Sequence, residues 1–194
     1  SKLETARNLA AILSYAATKN NDLIGAVFFA AKVIKHISPK KGQTHLSRLF
    51  RDMLSLKANH RGSNLDRALR FTHDTLKRRG ICVIISDFRT ATGWREMTLL
   101  ARKHDVIAIR ISDPSDTEFP ASGLLELFDP ETGKTVAGFG GSRRFKKAYN
   151  MFWDSENIFW YNSCRRRHID TLVVDTQADP AAALRGKPTQ SAIA

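Results

Sequence analysis

Continuous apolar runs alternate with amphipathic segments along most of the chain. The apolar runs are typical of strands buried on both faces of a sheet; they lie at residues 23–29, 81–85, 106–111 and 169–174. Between them, apolar side chains recur at helical spacing; the first such stripe contains Leu3, Ala6, Ala10, Leu13 and Ala17. Buried strands that alternate with helices predict a parallel sheet covered by helices on both faces.

Two parts of the pattern predict antiparallel pairing instead. Residues 33–37 form a shorter, partly alternating run that follows a short connection, which favours an edge strand, with a turn at residues 39–42. Residues 124–139 contain two short apolar runs around a turn with Pro and Gly, the pattern of a small hairpin. The predicted fold class is therefore α/β: a Rossmann-like three-layer sandwich with a mostly parallel sheet, one antiparallel edge strand and a small extra hairpin.

A long helix is predicted over residues 143–167. We expect its aromatic stripe, like most tryptophans and phenylalanines of the chain, to face the core; the stripe consists of Phe145, Tyr149, Phe152, Phe159 and Trp160. The length of 194 residues suits one domain, which we place at residues 1–184, with residues 185–194 as a flexible tail. No apolar run approaches the roughly 20 residues needed to span a bilayer, so we predict no membrane segment.

The formal net charge of +12 at pH 7 can indicate an acidic protein partner, nucleic acid or anionic lipid. Two of the basic clusters fall at expected helix C-termini, where cations complement the helix dipole. The charge alone therefore does not predict a nucleic-acid partner. Cys82 and Cys164 have no CxxC partner and no histidine at zinc spacing, so a reducing, cytoplasmic location fits them best.

Two loops carry the polar side chains best placed to bind a ligand. In an open α/β sheet, ligands bind beyond the carboxyl ends of the strands. Ser86 and Asp87 end the strand predicted at residues 81–85, and Ser63 lies in the loop that opens the next helix upstream. A hydroxyl and a carboxylate at adjacent loop tips suit a hard cation such as Mg²⁺.

Both residues also have structural interpretations. Ser63 and Asp66 form a capping-box-like pair, in which the Ser63 hydroxyl caps the helix. Asp87 could simply start the next turn, as Asp often does. Trp94 follows the Asp87 loop and is our first candidate for a contact with a partner. Acyl-transfer chemistry lacks its usual Gly-x-Ser-x-Gly signature.

The order of several short motifs resembles that of an uncharacterised bacterial family with a von Willebrand factor A-like (vWA) domain, the domain-of-unknown-function family numbered fifty-eight. Genes of this family often stand beside genes for MoxR-type AAA+ ATPases. The resemblance runs from about Lys2 to Leu184. It is carried by residues 2–4, 22–28, 62–65, 68–69, 84–88, 102–106, 113–114, 127–133, 179–180 and 183–184.

This resemblance implies a Rossmann-like sheet with a metal-ion-dependent adhesion site (MIDAS). Such a site uses an Asp-x-Ser-x-Ser motif after the first strand, a Thr from a second loop and an Asp from a third. Ser63 matches the second position, with Ser in place of Thr, and Asp87 matches the third. The first motif belongs just before Ser1, so we expect a domain truncated at its N-terminus. Mg²⁺ or another divalent cation is then expected in the full-length protein, and none in this fragment.

The strand that would carry the absent motif should lie between the strands at residues 23–29 and 81–85. Without it, two buried strand edges would face a gap, and each unpaired backbone group costs roughly 1–3 kcal/mol. We therefore expect that the chain is part of a longer protein, or that the two strands close up on each other.

The resulting hypothesis is a non-enzymatic, vWA-type interaction module with a partial MIDAS. An acidic group of the partner would complete the metal coordination, and Arg61 and Arg89 would add charge. The resemblance implies a MoxR-type AAA+ ATPase as partner, in complex assembly or maturation. The location would be the cytoplasm, or the cytoplasmic face of the inner membrane if an upstream segment anchors the full protein. The alternatives are a hydrolase or phosphotransfer enzyme that uses Asp87, and nucleic-acid binding through the basic surface.

Overall fold

A computed structural model describes residues 1–56, 62–89, 93–116, 124–128, 135–139 and 143–185. Six α-helices lie in this part of the chain: α1 (Lys2–Lys19), α2 (Gln43–Ser55), α3 (Leu65–Thr75), α4 (Trp94–Lys103), α5 (Arg143–Arg165) and α6 (Pro180–Arg185). The strands are β1 (Ile24–Phe29), β2 (Val33–Lys40), β3 (Ile81–Ser86), β4 (Asp105–Ser112), β5 (Leu124–Phe128), β6 (Thr135–Phe139) and β7 (Asp170–Asp175). The predicted tail beyond Arg185 lies outside the described residues.

The strands form a parallel sheet and two antiparallel pairs. β4 is the centre of the parallel sheet, with β3 on one side and β7 on the other. β1 pairs with β2, and β5 pairs with β6. This arrangement confirms the α/β class, the antiparallel strand after residue 29 and the hairpin at residues 124–139.

The β1–β2 hairpin is longer than predicted, because β2 continues through Pro39 where we expected a turn. Proline has no N–H to donate, so it is tolerated only on an edge strand or at a bulge. The pairing is irregular between Ile24 and Ala26. A side chain at Gly25 would come within 2.7 Å of the Ile37 carbonyl oxygen and 2.9 Å of the Pro39 nitrogen. Glycine therefore permits the close approach that this irregular pairing needs.

β1 and β3 do not pair with each other: in the described part of the chain, β1 pairs only with β2 and β3 only with β4. The expectation that the two strands close up is therefore wrong. Helices keep the two sheets together instead, because α1 contacts β1, β3 and β4, while α3 packs on β1, β2 and α4.

One face of the parallel sheet is covered by α1 and α6. Its core is aliphatic and consists of Leu9, Ile109, Ile111 and Val174. Leu9 is fully buried, and the other three are at most 3% exposed. Ile109, Ile111 and Val174 belong to the apolar runs that predicted buried strands.

The opposite face is covered by α3, α4 and the second half of α5. Its core consists of Leu65, Leu69, Ile84, Met97, Leu100, Val106, Ala108, Trp160, Cys164 and Ile169. Helices on both faces confirm the three-layer architecture.

The predicted aromatic stripe of α5 is only partly correct. Trp160 is buried, but Phe152 and Phe159 are 55% and 49% exposed. The buried face of the helix continues through Ser163 and Cys164 instead. No helix among the described residues combines the length and the apolar character needed to cross a membrane.

Candidate functional site

The carboxyl ends of the strands and the N-termini of several helices meet at one edge of the molecule. Lys2, at the start of α1, forms an ion pair of 2.7 Å with Asp116, which follows β4. The backbone N–H of Asn64, before α3, donates to the carbonyl of Ala30, which follows β1. These contacts place the first turns of α1 and α3 at the carboxyl edge, where the rules for open α/β sheets expect a ligand.

The loop before α3 presents the Ser63 side chain without using it as the cap. Asn64 is the N-cap of α3, and its side-chain oxygen accepts from the Arg67 N–H at 3.0 Å. The interpretation of Ser63 as the cap of α3 is therefore wrong by one position, because the N-cap is Asn64. No described hydrogen bond involves the Ser63 hydroxyl, so this half-buried group stays available at the edge.

Asp87 begins the loop that leaves β3. Its carboxylate accepts from the Arg89 N–H at 3.4 Å, and the Arg89 Nε lies 4.0 Å away. The Ser86 hydroxyl accepts from the N–H of Phe88 at 3.1 Å, and Phe88 has a φ of +51°. The turn-forming interpretation of Asp87 therefore matches the local hydrogen bonds, and the same carboxylate still lies half-buried at the edge.

The first turn of α3, which follows Ser63, packs against Gly93, which precedes α4. A Cβ atom added to Gly93 would lie 3.0 Å from Asp66 Oδ1 and 3.6 Å from Leu65 Cδ2, both in the first turn of α3. With a φ of +103°, Gly93 also has the left-handed conformation that glycine adopts at least cost. The structure thus brings the two predicted loops to the same edge.

Asp116 joins three separate segments of this edge. It pairs with Lys2 of α1 and with Arg89 of the loop after β3. Its Oδ2 also accepts from the Asp113 N–H at 3.1 Å. Because Asp116 is largely buried, with 14% of its side chain exposed, these interactions hold the loops more firmly than surface ion pairs would. Sequence reasoning missed Asp116, since an Asp three residues after Asp113 in a Pro-containing loop has no distinguishing spacing.

Arg110 is the most unusual side chain near the edge. It lies on the central strand β4 but is only 7% exposed. Burial is the largest effect on its pKa and lowers it, while the Asp87 and Asp116 carboxylates raise it in part. Its guanidinium lies 5.4 Å from the centre of the Trp160 ring. The sequence signal for this residue is a single arginine within an otherwise apolar run.

Each tryptophan of the chain is stacked with an arginine. Arg89 lies 4.7 Å from the Trp153 ring centre, and Arg167 lies 5.0 Å from that of Trp94. The indole N–H groups of Trp94, Trp153 and Trp160 are buried and lack an acceptor among the described residues. Buried donors without a partner are uncommon in native proteins and point to a role for a bound group or for water.

The remaining predicted partner contacts differ in placement. Arg89 is exposed at the edge, as expected. Trp94 is half-buried, and its ring packs edge-on against Phe159 at 6.0 Å, with Arg167 stacked on it. It thus contacts α5 rather than the Asp87 carboxylate. Arg61 lies outside the described residues.

Ser63 and Asp87 alone do not fit a divalent cation. They offer one hydroxyl and one carboxylate, whereas Mg²⁺ takes six oxygen ligands and usually keeps several waters. The described residues contain no group of three His, Cys, Asp or Glu side chains that could hold a metal. Arg89 and Arg110 also bring positive charge towards Asp87, which opposes the binding of a cation there.

Curated relatives of this chain occur in mycobacteria. The chain is 29% identical over 137 residues to the uncharacterized protein Rv1480 of Mycobacterium tuberculosis (strain ATCC 25618 / H37Rv), a match that covers 68% of this chain and 43% of that protein. It is 47% identical over 60 residues to the uncharacterized protein MAV169 of Mycobacterium avium, which covers 30% of this chain and 36% of that protein. The chain thus spans less than half the length of these relatives.

Two solved structures share the fold. An aerotolerance-related membrane protein from Bacteroides fragilis matches with a TM-score of 0.58 at 14% identity, over 94% of this chain and 84% of that one. The conserved hypothetical protein BatB from Bacteroides thetaiotaomicron matches with a TM-score of 0.55 at 12% identity, over 94% and 83%. At the sequence level, the model for "Protein of unknown function DUF58" matches residues 1–156, and the chain therefore belongs to the DUF58 family.

Proposed function

We propose that this chain is a non-enzymatic protein-interaction module of the vWA type, whose binding surface is the carboxyl edge of the sheet. The observation that carries this proposal is the Lys2–Asp116–Arg89 bridge. It ties the start of α1, the loop after β3 and the segment after β4 into one surface before any partner arrives. A surface ordered in advance reduces the entropy lost on binding.

The partner that this surface suits is acidic. The chain carries a formal charge of +12. Lys2, Arg89 and Arg110 lie at this edge, where Asp87 and Asp116 balance part of their charge. Complementary charge steers encounter and selects partners. The family resemblance supplies the identity that we propose, a MoxR-type AAA+ ATPase, and a role in the assembly or maturation of complexes. The module would then act in the cytoplasm or at the cytoplasmic face of the inner membrane.

The surroundings of Asp87 support binding over catalysis. A hydrolase or phosphotransfer site would pair Asp87 with a second carboxylate or a lysine that acts on the substrate. The second carboxylate nearby, Asp116, shares Arg89 with Asp87 but is also held by Lys2. The charges that act on Asp87 are the guanidiniums of Arg89 and Arg110. We likewise assign to Ser63 and Asp87 no more than two ligands of any divalent cation, so a full MIDAS needs further oxygen ligands.

The test measures binding of the purified chain to the purified MoxR-type ATPase from the same genome, by biolayer interferometry. We expect saturable binding that Arg89→Glu weakens by at least about tenfold, because the substitution reverses a charge at the edge. Arg79→Glu is the matched control. Arg79 pairs with Asp105 at the opposite, amino end of β4, so its affinity should stay within about twofold of wild type. Absence of binding, or equal losses in both variants, would refute the proposal.

A further inference from the structure

The Arg110 residue is only 7% exposed. None of the hydrogen bonds or ion pairs described for residues 1–56, 62–89, 93–116 and 143–185 involves it. In the sheet, Arg110 lies between Ser86 on β3 and Val173 on β7. Ser86 is the last residue of β3, and Asp87 begins the loop that follows it. Its nitrogens are not among the fully buried polar atoms that lack a partner, so they remain partly accessible and a ligand can reach them.

The carboxylates that act on Arg110 do so only at a distance. Asp87, Asp116 and Glu156 raise its pKa electrostatically, yet burial outweighs them. None of the three lies within the 4.0 Å of an ion pair with it. Asp116 is already paired with Lys2 and Arg89. The nearby carboxylates therefore balance part of the charge of Arg110 without occupying its donors.

The same region has further donors that lack acceptors. Trp153 and Trp160 are two helical turns apart and therefore lie on one side of α5. Each stacks on an arginine, Arg89 and Arg110 respectively, and each has a buried indole N–H without an acceptor among the described residues. We call these four residues the arginine–tryptophan cluster. These donors need an acceptor, whereas a cation site needs oxygen ligands. The cluster is therefore suited to a group that accepts hydrogen bonds and not to a cation.

We propose that the arginine–tryptophan cluster is a subsite for a carboxylate side chain of the partner, with Arg110 as the residue that binds its two oxygens. This inference rests on the proposed interaction function and names the group that the edge recognises. A guanidinium presents two parallel donors to a carboxylate, which gives both strength and orientation.

The surrounding charges favour a carboxylate over a phosphate. Asp87, Asp116 and Glu156 all act on Arg110, so a doubly charged phosphate would experience stronger repulsion than a singly charged carboxylate. Two planar oxygens also match one guanidinium without further donors.

The experiment uses this chain, an acetylated and amidated triglutamate peptide, and EDTA to remove divalent cations. Binding is followed by tryptophan fluorescence and by isothermal titration calorimetry. We expect saturable binding that Arg110→Gln weakens by at least about tenfold, which corresponds to the loss of charged hydrogen bonds. Arg79→Gln removes the same charge at the opposite end of β4 and should leave the affinity within about twofold. Inorganic phosphate, as a second probe, should bind more weakly than the peptide.

A second variant guards against loss of folding in Arg110→Gln. Arg110→Lys keeps the charge but lacks the planar fork, so binding should weaken by about three- to tenfold and still saturate. Binding that needs Mg²⁺, phosphate that binds more tightly than the peptide, or equal effects of Arg110→Gln and Arg79→Gln would each overturn the inference. If the peptide binds as expected but the ATPase does not, the proposed partner is wrong and the subsite stands. If the ATPase binds but the peptide does not, the subsite is wrong and the module stands.

Discussion

The two faces of the parallel sheet differ in chemistry, although the same strands supply both. Towards α1, β4 presents Ile109 and Ile111, which join a wholly aliphatic core. Towards α5, the intervening residue Arg110 lies buried against Trp160. Neighbouring residues of β4 therefore face two different environments. The environment on the α1 side is aliphatic, and the one on the α5 side contains a charge and indole N–H groups without described acceptors.

This difference separates stability from recognition. The aliphatic face gains free energy from burial and dense packing, and the buried Thr5 and Thr18 hydroxyls of α1 donate to backbone carbonyls four residues earlier. The opposite face keeps Arg110, which has no described ion pair or hydrogen bond, and buried indole N–H groups without an acceptor in the described part of the chain. Each buried donor that lacks an acceptor reduces stability. Residues that a fold keeps at a cost to stability are candidates for binding, and here they lie at the edge where the loops converge.

The largest expected effect is on the aliphatic face. Leu9→Ala should lower the free energy of unfolding by about 2–5 kcal/mol, because it opens a cavity at a fully buried position. Urea denaturation followed by circular dichroism measures this change. Leu54→Ala is the control, since Leu54 is 67% exposed and should change stability by less than about 0.5 kcal/mol. Equal losses in both variants would mean that this face is not the main source of stability.

On the opposite face, Arg110→Met should have a smaller effect and should not lower the free energy of unfolding. Arg110→Met keeps much of the volume and removes a buried charge that lacks a direct partner. We expect the free energy of unfolding to stay unchanged or to rise by about 1 kcal/mol, measured by the same urea titration. A loss greater than about 2 kcal/mol would show that the guanidinium is tied into the fold, and the contrast between the two faces would fail.

A third comparison concerns the two neighbouring polar residues before α3. Asn64→Ala should cost about 1 kcal/mol, because it removes the side chain that caps the helix. Ser63→Ala should change the melting temperature little, since no described hydrogen bond uses its hydroxyl. Thermal melts of both variants under one buffer give the answer. A larger loss for Ser63→Ala would restore Ser63 as the cap and remove it from the candidate site.

The sequence predicted the layers of the fold better than its sheet connectivity. Hydrophobic runs gave the strands to within a residue or two at most ends, because strands buried on both faces have few polar residues. The pattern placed Phe152 and Phe159 in the core, although the helix turns them outwards. Several aromatic residues close together in sequence suggested a stripe without fixing which side of the helix faces the sheet. Whether β1 and β3 pair is a long-range property that no local pattern reveals.

The candidate site was predictable in position but not in chemistry. Ser63 and Asp87 were predicted because their loops leave and enter elements at the carboxyl edge, and their role stays a prediction. Arg110 was missed because one charged residue did not interrupt an otherwise convincing strand. Asp116 was missed because its partners, Lys2 and Arg89, are distant in sequence. Positions follow from topology, whereas the partners of a charge depend on tertiary contacts.

The smallest expected effect depends on pH and concerns His104, at the C-terminal end of α4. The side chain is 3% exposed, and neither ring nitrogen has a partner among the described residues. Burial lowers its pKa, and the nearby charge of Lys103 adds to this. The unfolded chain therefore binds a proton at a higher pH than the folded one does. Stability should accordingly fall as the pH drops below about 6.5, the ordinary pKa of histidine.

His104→Leu should remove this part of the pH dependence, because leucine fills the site without a titrating group. The free energy of unfolding, measured by urea denaturation at pH 7.5 and at pH 5.0, should decrease less between the two in His104→Leu than in the wild type. His168→Asn is the control: His168 is exposed and has a φ of +55°, which asparagine tolerates. The control should keep the wild-type decrease. If His104→Leu shows the wild-type decrease as well, burial of the His104 ring does not lower the free energy of unfolding at low pH. The contrast with the aliphatic face is then limited to Arg110 and the tryptophans.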